Sequence, residues 1–307
     1  MSEEVKQEAQ KCPFCMIVNG EIPSHKVVEN DEFMSFLDIN PANKGHTLIV
    51  PKKHVPISPM LEPKLAGSLA NIIKVVNQKL IQTYSKSTTI FIANGGVAGQ
   101  KAPHLIIHVI PRDDNDGINL NPKRSEKKGW EEMHKKIVEG IGGSEKTDVL
   151  MEDDDLTILH PKQNFVNGEV KMFVRKKLVI LEQVPEDLFT KMLQVTNKMS
   201  ALLFDKLQMQ GTNILIQNGP SAGQTEDHFS INIIPRMQDD GIELEWEPKQ
   251  ETAENLTKTL EEIKGTEKKE EEAKFVEEQK KQVEEKPKEA EELKEDNYLA
   301  KSLNRLP

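Results

Sequence analysis

GGVAGQKAPHLIIHVIPRDDNDGINL, residues 95–120, returns further along the chain as GPSAGQTEDHFSINIIPRMQDDGIEL, residues 219–244. Ala-Gly-Gln, Pro-Arg and Asp-Gly all recur at a constant shift of 124 residues, which also relates His104 to His228 and Asn94 to Asn218. Self-similarity at a fixed period indicates a repeated structural unit. The chain therefore contains two copies of one domain, called here the first and the second repeat.

Each repeat predicts the same series of short strands and one amphipathic helix. The strand candidates are FMSFL, TLIVP, TIFIA and LIIHVI in the first repeat, and LTIL, KMFVR, NILIQ and FSINII in the second. Between the second and third strands, apolar residues recur on one helical stripe, from Leu65 to Leu80 and from Leu188 to Leu202. Few helices and several short strands predict an α+β fold with antiparallel sheets.

Composition divides the 307 residues further. We predict a disordered N-terminus (1–11), a first domain (12–142), a second domain (143–249), a charged linker or helix (250–296) and a short docking segment (297–307). The linker is almost wholly Glu, Lys, Gln and Ala, a composition that cannot bury a core. The last segment, NYLAKSLNRLP, regains leucines at helical spacing. It either docks on a protein partner as a helix in a groove or folds back on its own domains.

The net charge and the hydropathy pattern exclude several functions. A formal net charge of −10 argues against nucleic-acid binding, because phosphate backbones select basic surfaces. The sequence has no apolar run long enough to cross a membrane, and its polar, acidic N-terminus does not read as a signal peptide. We therefore expect a cytoplasmic protein without direct membrane or nucleic-acid contact.

The two cysteines of the chain, Cys12 and Cys15, form the motif CPFC. In a reducing compartment such a pair is a metal or redox element rather than a structural disulfide. A redox pair is expected at the start of a helix, where the dipole lowers the thiol pKa. The following MIVNGEIPSHKVV is rich in β-branched residues and contains Gly20 and Pro23, so a long helix is not expected. This favours a metal and leaves the redox alternative open.

The strand LIIHVI and its flanks place polar and apolar groups on one face. Because side chains alternate along a strand, His104, Ile106, His108 and Ile110 share a face. Two histidines therefore flank an isoleucine where the polar pattern would be expected to continue. The strand has the form of a catalytic element whose centre is a hydrocarbon.

The first repeat resembles the histidine-triad (HIT) family of nucleotide-binding hydrolases and transferases. The resemblance covers CPFCMIVNGEIPSHKVVENDEFMSFLDINPANKGHTLIVPKKHV and NGGVAGQKAPHLIIHVIPR. The second repeat is similar only through QNGPSAGQTEDHFSINIIPR and its element order, so it resembles a degenerate member. Because family domains pair as two-fold dimers, the resemblance implies that the tandem chain is an intrachain pseudo-dimer.

The family's defining strand is His-φ-His-φ-His-φ-φ, where φ is apolar and the middle histidine is the nucleophile that attacks an α-phosphate. The corresponding residues here are Ile106 and Ser230. Isoleucine has no lone pair for covalent catalysis, and Asn232 next to the serine on its face is not a base. The resemblance therefore implies that neither repeat performs the family's chemistry.

Several positions that bind nucleotide in the family are retained in the first repeat. The resemblance implies that His108 contacts the α-phosphate, that His46 is an accessory active-site residue, and that a purine nucleotide is the ligand. It further assigns the nucleoside to Asp38 and Ile39, and the phosphates to Asn94, Gly99 and Gln100. Lys101 departs from the family, since many relatives have Ser or Thr there. In the second repeat, Asp38 and His46 align roughly with His160 and Glu169, and only Asn218, Gly223, Gln224 and His228 remain on the phosphate side.

One branch of the family binds zinc through an N-terminal CxxC, a histidine after the second strand and the first triad histidine. The matching residues are Cys12, Cys15, His54 and His104. Two thiolates and two imidazoles complete a tetrahedral shell, so the resemblance implies one closed, structural zinc site per chain.

Three functions remain after this reading. The leading one is a protein that binds a purine nucleotide without turnover, or serves as an interaction module. The second is an active nucleotide hydrolase or nucleotidyl transferase in which His108 or His46 replaces the lost nucleophile. The third is a pure protein-interaction scaffold. Trp130 and Trp246, which follow the last strand of each repeat, are expected to pack on the domain rather than to stack on a base.

Overall fold

The computed structural model describes residues 12–121, 125–126, 130–141 and 148–265. The predicted disordered N-terminus (1–11), the charged segment beyond 265 and the docking segment 297–307 therefore lie outside the described residues. The chain divides into two units, Met1–Ile263 and Lys264–Pro307.

The first repeat contains five strands, one long helix and a short N-terminal helix. Its elements are α1 (Pro13–Val18), β1 (Lys26–Glu29), β2 (Phe33–Leu37), β3 (Thr47–Pro51), α2 (Ala66–Thr83), β4 (Ser87–Asn94) and β5 (Ile107–Arg112). The strands pair antiparallel in the order β1-β2-β3-β5-β4. The four predicted strands of this repeat are all present.

The second repeat copies this arrangement after a short connection. The elements are β6 (Ser125–Glu126), α3 (Trp130–Ile141), β7 (Val149–Glu152), β8 (Leu156–Leu159), β9 (Gln163–Asn164), β10 (Val170–Val174), α4 (Glu186–Leu207), β11 (Gly211–Asn218) and β12 (Ser230–Arg236). A last helix, α5, covers 253–265. The strand order is β11-β12-β10-β8-β7, while β6 and β9 form a separate ribbon.

Strands β4 and β11 join the two halves into one antiparallel ten-stranded sheet. In this pairing Phe91 lies opposite Leu215, its own counterpart at the shift of 124 residues. Asn94 lies opposite Thr212, and the counterparts of these two residues, Asn218 and Thr88, face each other in the same way. Such reciprocity is the mark of a two-fold interface. The predicted α+β fold, arranged as an intrachain pseudo-dimer, is confirmed.

The two long helices bury the predicted apolar stripes against the sheet. The stripe residues that become buried are Leu69, Ile72, Val76 and Leu80 of α2, and Leu188, Met192 and Met199 of α4. They belong to one apolar cluster that spans both repeats. Because full burial of such a side chain stabilises by roughly 1.5–3 kcal/mol, these stripes fix both helices on the sheet.

Buried ion pairs close the turn after the last strand of each repeat. Arg112 Nε lies 2.6 Å from Asp116 Oδ2, and Arg236 Nε lies 2.7 Å from Asp240 Oδ2. In both pairs an arginine Nη2 reaches the second carboxylate oxygen at 3.1 Å, so the contact is bidentate. The turns PRDDNDG and PRMQDDG therefore have one structure despite their different sequences.

The structure departs from the sequence predictions in several elements. Strands β1 and β7, helix α3 and the small ribbon were not predicted, and β5 begins at Ile107 instead of Leu105. The late start has a local cause, because the Gln100 side-chain amide donates to the carbonyls of Ala102 and His104. These bonds hold the preceding backbone away from the ladder.

Helix α5 corrects the expectation that the charged segment after 249 buries no core. Leu256 and Ile263 are seven residues apart, so they lie on one face of the helix, and both are buried. Polar contacts fasten the helix to the first repeat, where Tyr84 donates to Glu262 at 2.7 Å and Thr257 lies 3.3 Å from His25. Leu260 also packs against the core and Thr259 is buried, so a few residues at helical spacing dock an otherwise charged helix. No helix of the described part of the chain is long and apolar enough to span a bilayer.

Candidate functional site

The four predicted metal ligands meet at one end of the first repeat's sheet. Cys12 Sγ lies 3.4 Å from His104 Nδ1, and Cys15 Sγ lies 3.3 Å from His54 Nδ1. All four ligand atoms lie within 4.8 Å of one another, and all four residues are buried. Two sulfurs and two ring nitrogens at these separations could hold a metal ion in a tetrahedral shell.

Helix α1 brings both cysteines to this cluster. Pro13 begins the helix, a position where the missing N–H is tolerated. The helix is only six residues long, which agrees with the expectation that no long helix follows the cysteines. Its residues Phe14 and Ile17 pack on the apolar patch formed by β2 and β3. The segment is therefore fastened on the sheet by apolar contacts independently of any metal.

The surroundings of the ligands also fit a metal. The Nε2–H of His104 donates to the Pro51 carbonyl at 3.0 Å, which leaves Nδ1 free for coordination. Burial raises the pKa of the Cys15 thiol to about 12, and the neighbouring Cys12 adds to this effect. A bound cation would stabilise the thiolates that burial disfavours. The convergence of two histidines on the pair favours a metal over the redox alternative.

A cavity of about 300 Å³ lies beside this cluster. Residues from the sheet, the glycine-bearing loop and the end of the second repeat line it: Asp38, Asn40, Phe91, Ala93, Gly99, Gln100, Lys101, His104, Ile106, His108, Leu244, Glu245, Trp246 and Pro248. Four of the predicted nucleotide-binding residues are among them. The volume lies at the lower end of the range of small-molecule sites, roughly 300–1,000 Å³.

His46 and His108 form a hydrogen-bonded pair that fixes the proton positions of both rings. The Ala42 N–H donates to His46 Nδ1 at 3.1 Å, so this nitrogen carries no proton. His46 Nε2 must then donate to His108 Nδ1, which lies 3.0 Å away. The remaining proton of a neutral His108 is therefore on Nε2. A ligand in the cavity meets His108 as a hydrogen-bond donor.

The electrostatic environment keeps both rings neutral. Burial lowers the pKa of His46 to about 3. The pKa of His108 is also lowered to about 3, first by burial and then by the neighbouring His46. The carboxylate of Asp38 raises the pKa of His108 and so opposes this shift in part. Asp38 Oδ2 lies 3.6 Å from His46 Nδ1. At neutral pH the pair therefore presents a donor without a formal charge.

Ile106 lies in the cavity wall between His104 and His108. It is half-buried and packs against Met34, Phe36 and their neighbours on the outer face of the sheet. His104, Ile106 and His108 thus share one face, as expected from the sequence, although β5 begins only at Ile107. An alkyl side chain occupies the place from which a nucleophile would face a ligand.

The two residues predicted to cradle a nucleoside have different environments. Asp38 lines the cavity, and its Oδ1 already accepts the Asn40 N–H at 2.9 Å, which orients the carboxylate. Ile39 does not line the cavity and is 65% exposed. A large apolar side chain in such an exposed position beside the opening is available to a ligand that extends out of the cavity.

Asn94 is placed apart from the cavity. It is fully buried, its Oδ1 accepts the Ser58 N–H at 2.8 Å, and its amide donates to Thr212 at 3.1 Å. Its counterpart Asn218 likewise accepts a backbone N–H, from Leu181 at 2.9 Å. The structure therefore uses this asparagine at the interface between the repeats.

The glycine-bearing loop is organised by Gln100. Its Oε1 accepts the Gly95 N–H at 2.7 Å, and its amide donates to the Pro56 carbonyl at 2.7 Å. Gln224 makes the matching bond to Gly219 in the second repeat, also at 2.7 Å. Gln100 thus holds the loop in its conformation. Gly99 and Gln100 of this loop line the cavity.

Trp246 was not predicted as a site residue, yet it covers the histidine pair. Its ring centroid lies 5.2 Å from that of His108, 5.6 Å from that of His46 and 5.8 Å from that of Phe91. The segment reaches the first repeat from the end of the second, and Lys249 fastens it by donating its N–H to Pro41. Only the pseudo-dimer brings this residue to the site, so local sequence patterns carried no signal for it.

A pocket also borders the glycine-bearing loop of the second repeat, but Gln217, Ser230 and Asn232 are not part of its lining. Gln217 replaces Ala93, and its amide donates to the Ala222 carbonyl at 2.9 Å. It lies so close to Gly223 that a Cβ there would be 2.6 Å from the amide nitrogen. The glutamine side chain therefore fills the space beneath the loop.

The remaining polar groups of the second repeat serve local contacts. Glu169 takes the place of His46 and accepts the Phe165 N–H at 2.6 Å, just as His46 accepts the N–H four residues before it. Ser230 and Asn232, at the positions of Ile106 and His108, are buried. His228 pairs with Asp227 at 2.8 Å.

The family model of the HIT domain matches the chain twice, at residues 19–115 and 143–239. Together these segments cover more than half of the 307 residues, and they stand at the same shift as the repeat. The chain therefore belongs to the HIT family and carries its domain in tandem.

Individual relatives agree with this assignment. An uncharacterized HIT-like protein of Methanocaldococcus jannaschii is 44% identical over 110 residues, which are 34% of this chain and 82% of that protein. Adenosine 5′-monophosphoramidase HNT1 of Saccharomyces cerevisiae is 31% identical over 140 residues, 44% of this chain and 85% of that protein. Among solved structures, a galt-like protein from Arabidopsis thaliana covers 75% of this chain and 83% of its own, at 15% identity and a TM-score of 0.54. This last likeness concerns the fold alone.

Proposed function

We propose that the chain binds a purine nucleotide in the cavity of its first repeat and does not turn it over. The observation that carries the proposal is Ile106, which faces the cavity between His104 and His108. A covalent nucleotidyl intermediate needs a nitrogen lone pair at this place, and an alkyl side chain has none. The binding groups around it, by contrast, are retained.

The retained groups suit a nucleoside phosphate. Asp38 offers a carboxylate to ribose hydroxyls, and His108 offers an Nε2–H to a phosphate oxygen. A donor of this kind on a neutral ring contributes a charge-assisted hydrogen bond to an anionic ligand. The activity named for the yeast relative, adenosine 5′-monophosphoramidase, favours an adenine nucleotide as the first ligand to test.

We further propose that Cys12, Cys15, His54 and His104 hold one zinc ion with a structural role. Two thiolates and two imidazoles are a donor set typical of closed zinc sites. No position of such a shell is left for substrate, so the ion would anchor α1 to the start of β5 without taking part in catalysis.

The experiment is a comparison of native chain, Ile106→His and the matched control Ile106→Val. Calorimetry should detect AMP binding by the native chain, and incubation with adenosine 5′-phosphoramidate should release no AMP. Ile106→His is expected to gain turnover, whereas Ile106→Val is expected to remain inactive. Robust turnover by the native chain would contradict the proposal, and loss of all nucleotide binding would favour the pure interaction scaffold.

An active hydrolase is the second candidate, favoured by the enzymatic activity named for the yeast relative. In that case His108 or His46 would have to attack phosphorus. The hydrogen bonds argue against both, since His46 uses its two ring nitrogens within the protein and His108 presents a protonated Nε2. Native turnover that disappears in His108→Ala would establish this candidate instead.

A further inference from the structure

A second open groove adjoins the nucleotide cavity. Its volume is also about 300 Å³, and its lining consists of Pro56, Gly96, Gln100, Lys101, Ala102 and Pro103. Gln100 and Lys101 belong to the walls of both spaces. The cavity and the groove therefore meet across these two residues, at the loop next to His108.

Lys101 brings a positive charge to this junction. It is exposed, and it is the one lysine or arginine among the described residues that line the cavity, whose carboxylates are Asp38 and Glu245. No described residue forms an ion pair with Lys101. Its charge reaches the histidine pair: burial is the main cause of the lowered pKa of His108, and the Lys101 ammonium adds to it.

The second repeat provides a contrast within the same chain. The residue at the shift of 124 from Lys101 is Thr225, and there Gln217 fills the space beneath the loop. The fold therefore does not require a lysine at this position, whereas in the first repeat the lysine lines the cavity beside His108. This distribution fits a residue that serves a ligand rather than the fold.

We infer that Lys101 makes the site selective for nucleotides whose phosphate chain extends beyond the α-phosphate, that is, nucleoside di- and triphosphates. The inference rests on the proposed function. With the α-phosphate at His108 Nε2–H, the chain would leave the cavity over Gln100 and Lys101 into the groove. A lysine ammonium binds phosphate as a point charge. Because Ile106 cannot attack phosphorus, such a ligand would be retained intact.

The test is the ratio of the Kd for AMP to the Kd for ADP, measured by calorimetry in magnesium-free buffer. We expect the native chain to bind ADP about tenfold more tightly, the gain of one charge-assisted hydrogen bond. Lys101→Met should bring this ratio to about one. The matched control Lys86→Met changes an exposed lysine that lines neither space and should leave the ratio unchanged.

The dependence of this ratio on salt concentration is a second measurement, and an unfolded variant would not reproduce it. Because Lys101 is exposed, its contribution is screened by ions, so the native ratio should fall between 50 and 500 mM salt while that of Lys101→Met stays constant. Equal affinities for AMP and ADP in the native chain, or a preference that survives in Lys101→Met, would overturn the inference while the proposed function stands. Absence of binding by either nucleotide would overturn both.

Discussion

Replacing Ala93 by glutamine, the residue that stands at its position in the second repeat, should close the cavity of the first repeat. Ala93 lines the cavity, and its counterpart Gln217 donates to Ala222 and occupies the space beneath Gly223. We therefore expect Ala93→Gln to place its amide under Gly99 in the same manner. A phosphate would then be kept from the loop and from the histidine donor beside it.

The size of the effect follows from the contacts that the glutamine would block. If a nucleotide loses two hydrogen bonds to its charged phosphate, at about 1.5 kcal/mol each, binding weakens by about 3 kcal/mol. Since about 1.4 kcal/mol corresponds to a factor of ten, the Kd for AMP should rise on the order of 100-fold. Calorimetric titration of AMP into native chain and Ala93→Gln measures this directly.

The reverse exchange, Gln217→Ala, is the matched control. It opens space in the second repeat, but Glu169 and Asn232 stand there in place of the two histidines, so no second nucleotide should bind. Unfolding of Ala93→Gln is checked by its urea midpoint, because overpacking costs about 1–3 kcal/mol. An Ala93→Gln chain that is folded and binds AMP within about threefold of native would refute the placement of the ligand in this cavity.

Three further predictions concern the buried ion pairs, the proposed metal site and the position of the ligand. Asp116→Asn should cost about 3 kcal/mol in urea unfolding because it leaves the buried Arg112 unpaired, and Asp240→Asn should cost about as much. Burial alone would raise the pKa of Asp116, but its bonds from Arg112 lower it. The stabilisation by this ion pair is therefore present at neutral pH and is lost as the pH falls below about 4. The stability of Asp116→Asn should lack this decrease at acid pH. Chelation should lower the melting temperature of the native chain and leave that of Cys15→Ser unchanged. AMP should quench the fluorescence of Trp246 in a Trp130→Phe background, and an unchanged emission spectrum on saturation would place the ligand elsewhere.

The features that the sequence predicted well are those with a local period. Alternation and helical stripes gave the strands and long helices of both repeats, since burial of one face enforces that period. The constant shift of 124 residues predicted two copies of one domain, and the family resemblance implied their two-fold arrangement, which the pairing of Phe91 with Leu215 confirms. The edge strands β1 and β7 carried too weak a pattern, because each buries only one of its four residues, whereas the equally short β8 buries three.

The site was predictable only in part, for a physical reason. Cys12 and Cys15 could be named from their motif, the family resemblance added His54 and His104, and the structure brings the four together. Trp246, by contrast, acquires its place through the pairing of the repeats, so no pattern near it in the sequence identifies it. Asn94 shows the converse: a polar residue beside a glycine-bearing loop is predicted to contact a ligand, whereas its bond to Thr212 joins the two repeats and its bond to Ser58 lies within the first.

The two repeats have divided the tasks that identical domains of a dimer would share. The first keeps the histidine pair, the cavity and the metal ligands, while the second supplies Trp246 and the neighbouring wall of that cavity. Covalent linkage makes this asymmetry possible, because each half changes without changing the other. A single-repeat fragment would therefore lack part of the wall of this cavity even if it folded. Under the proposed function, the donors around Ile106 hold a ligand without transforming it.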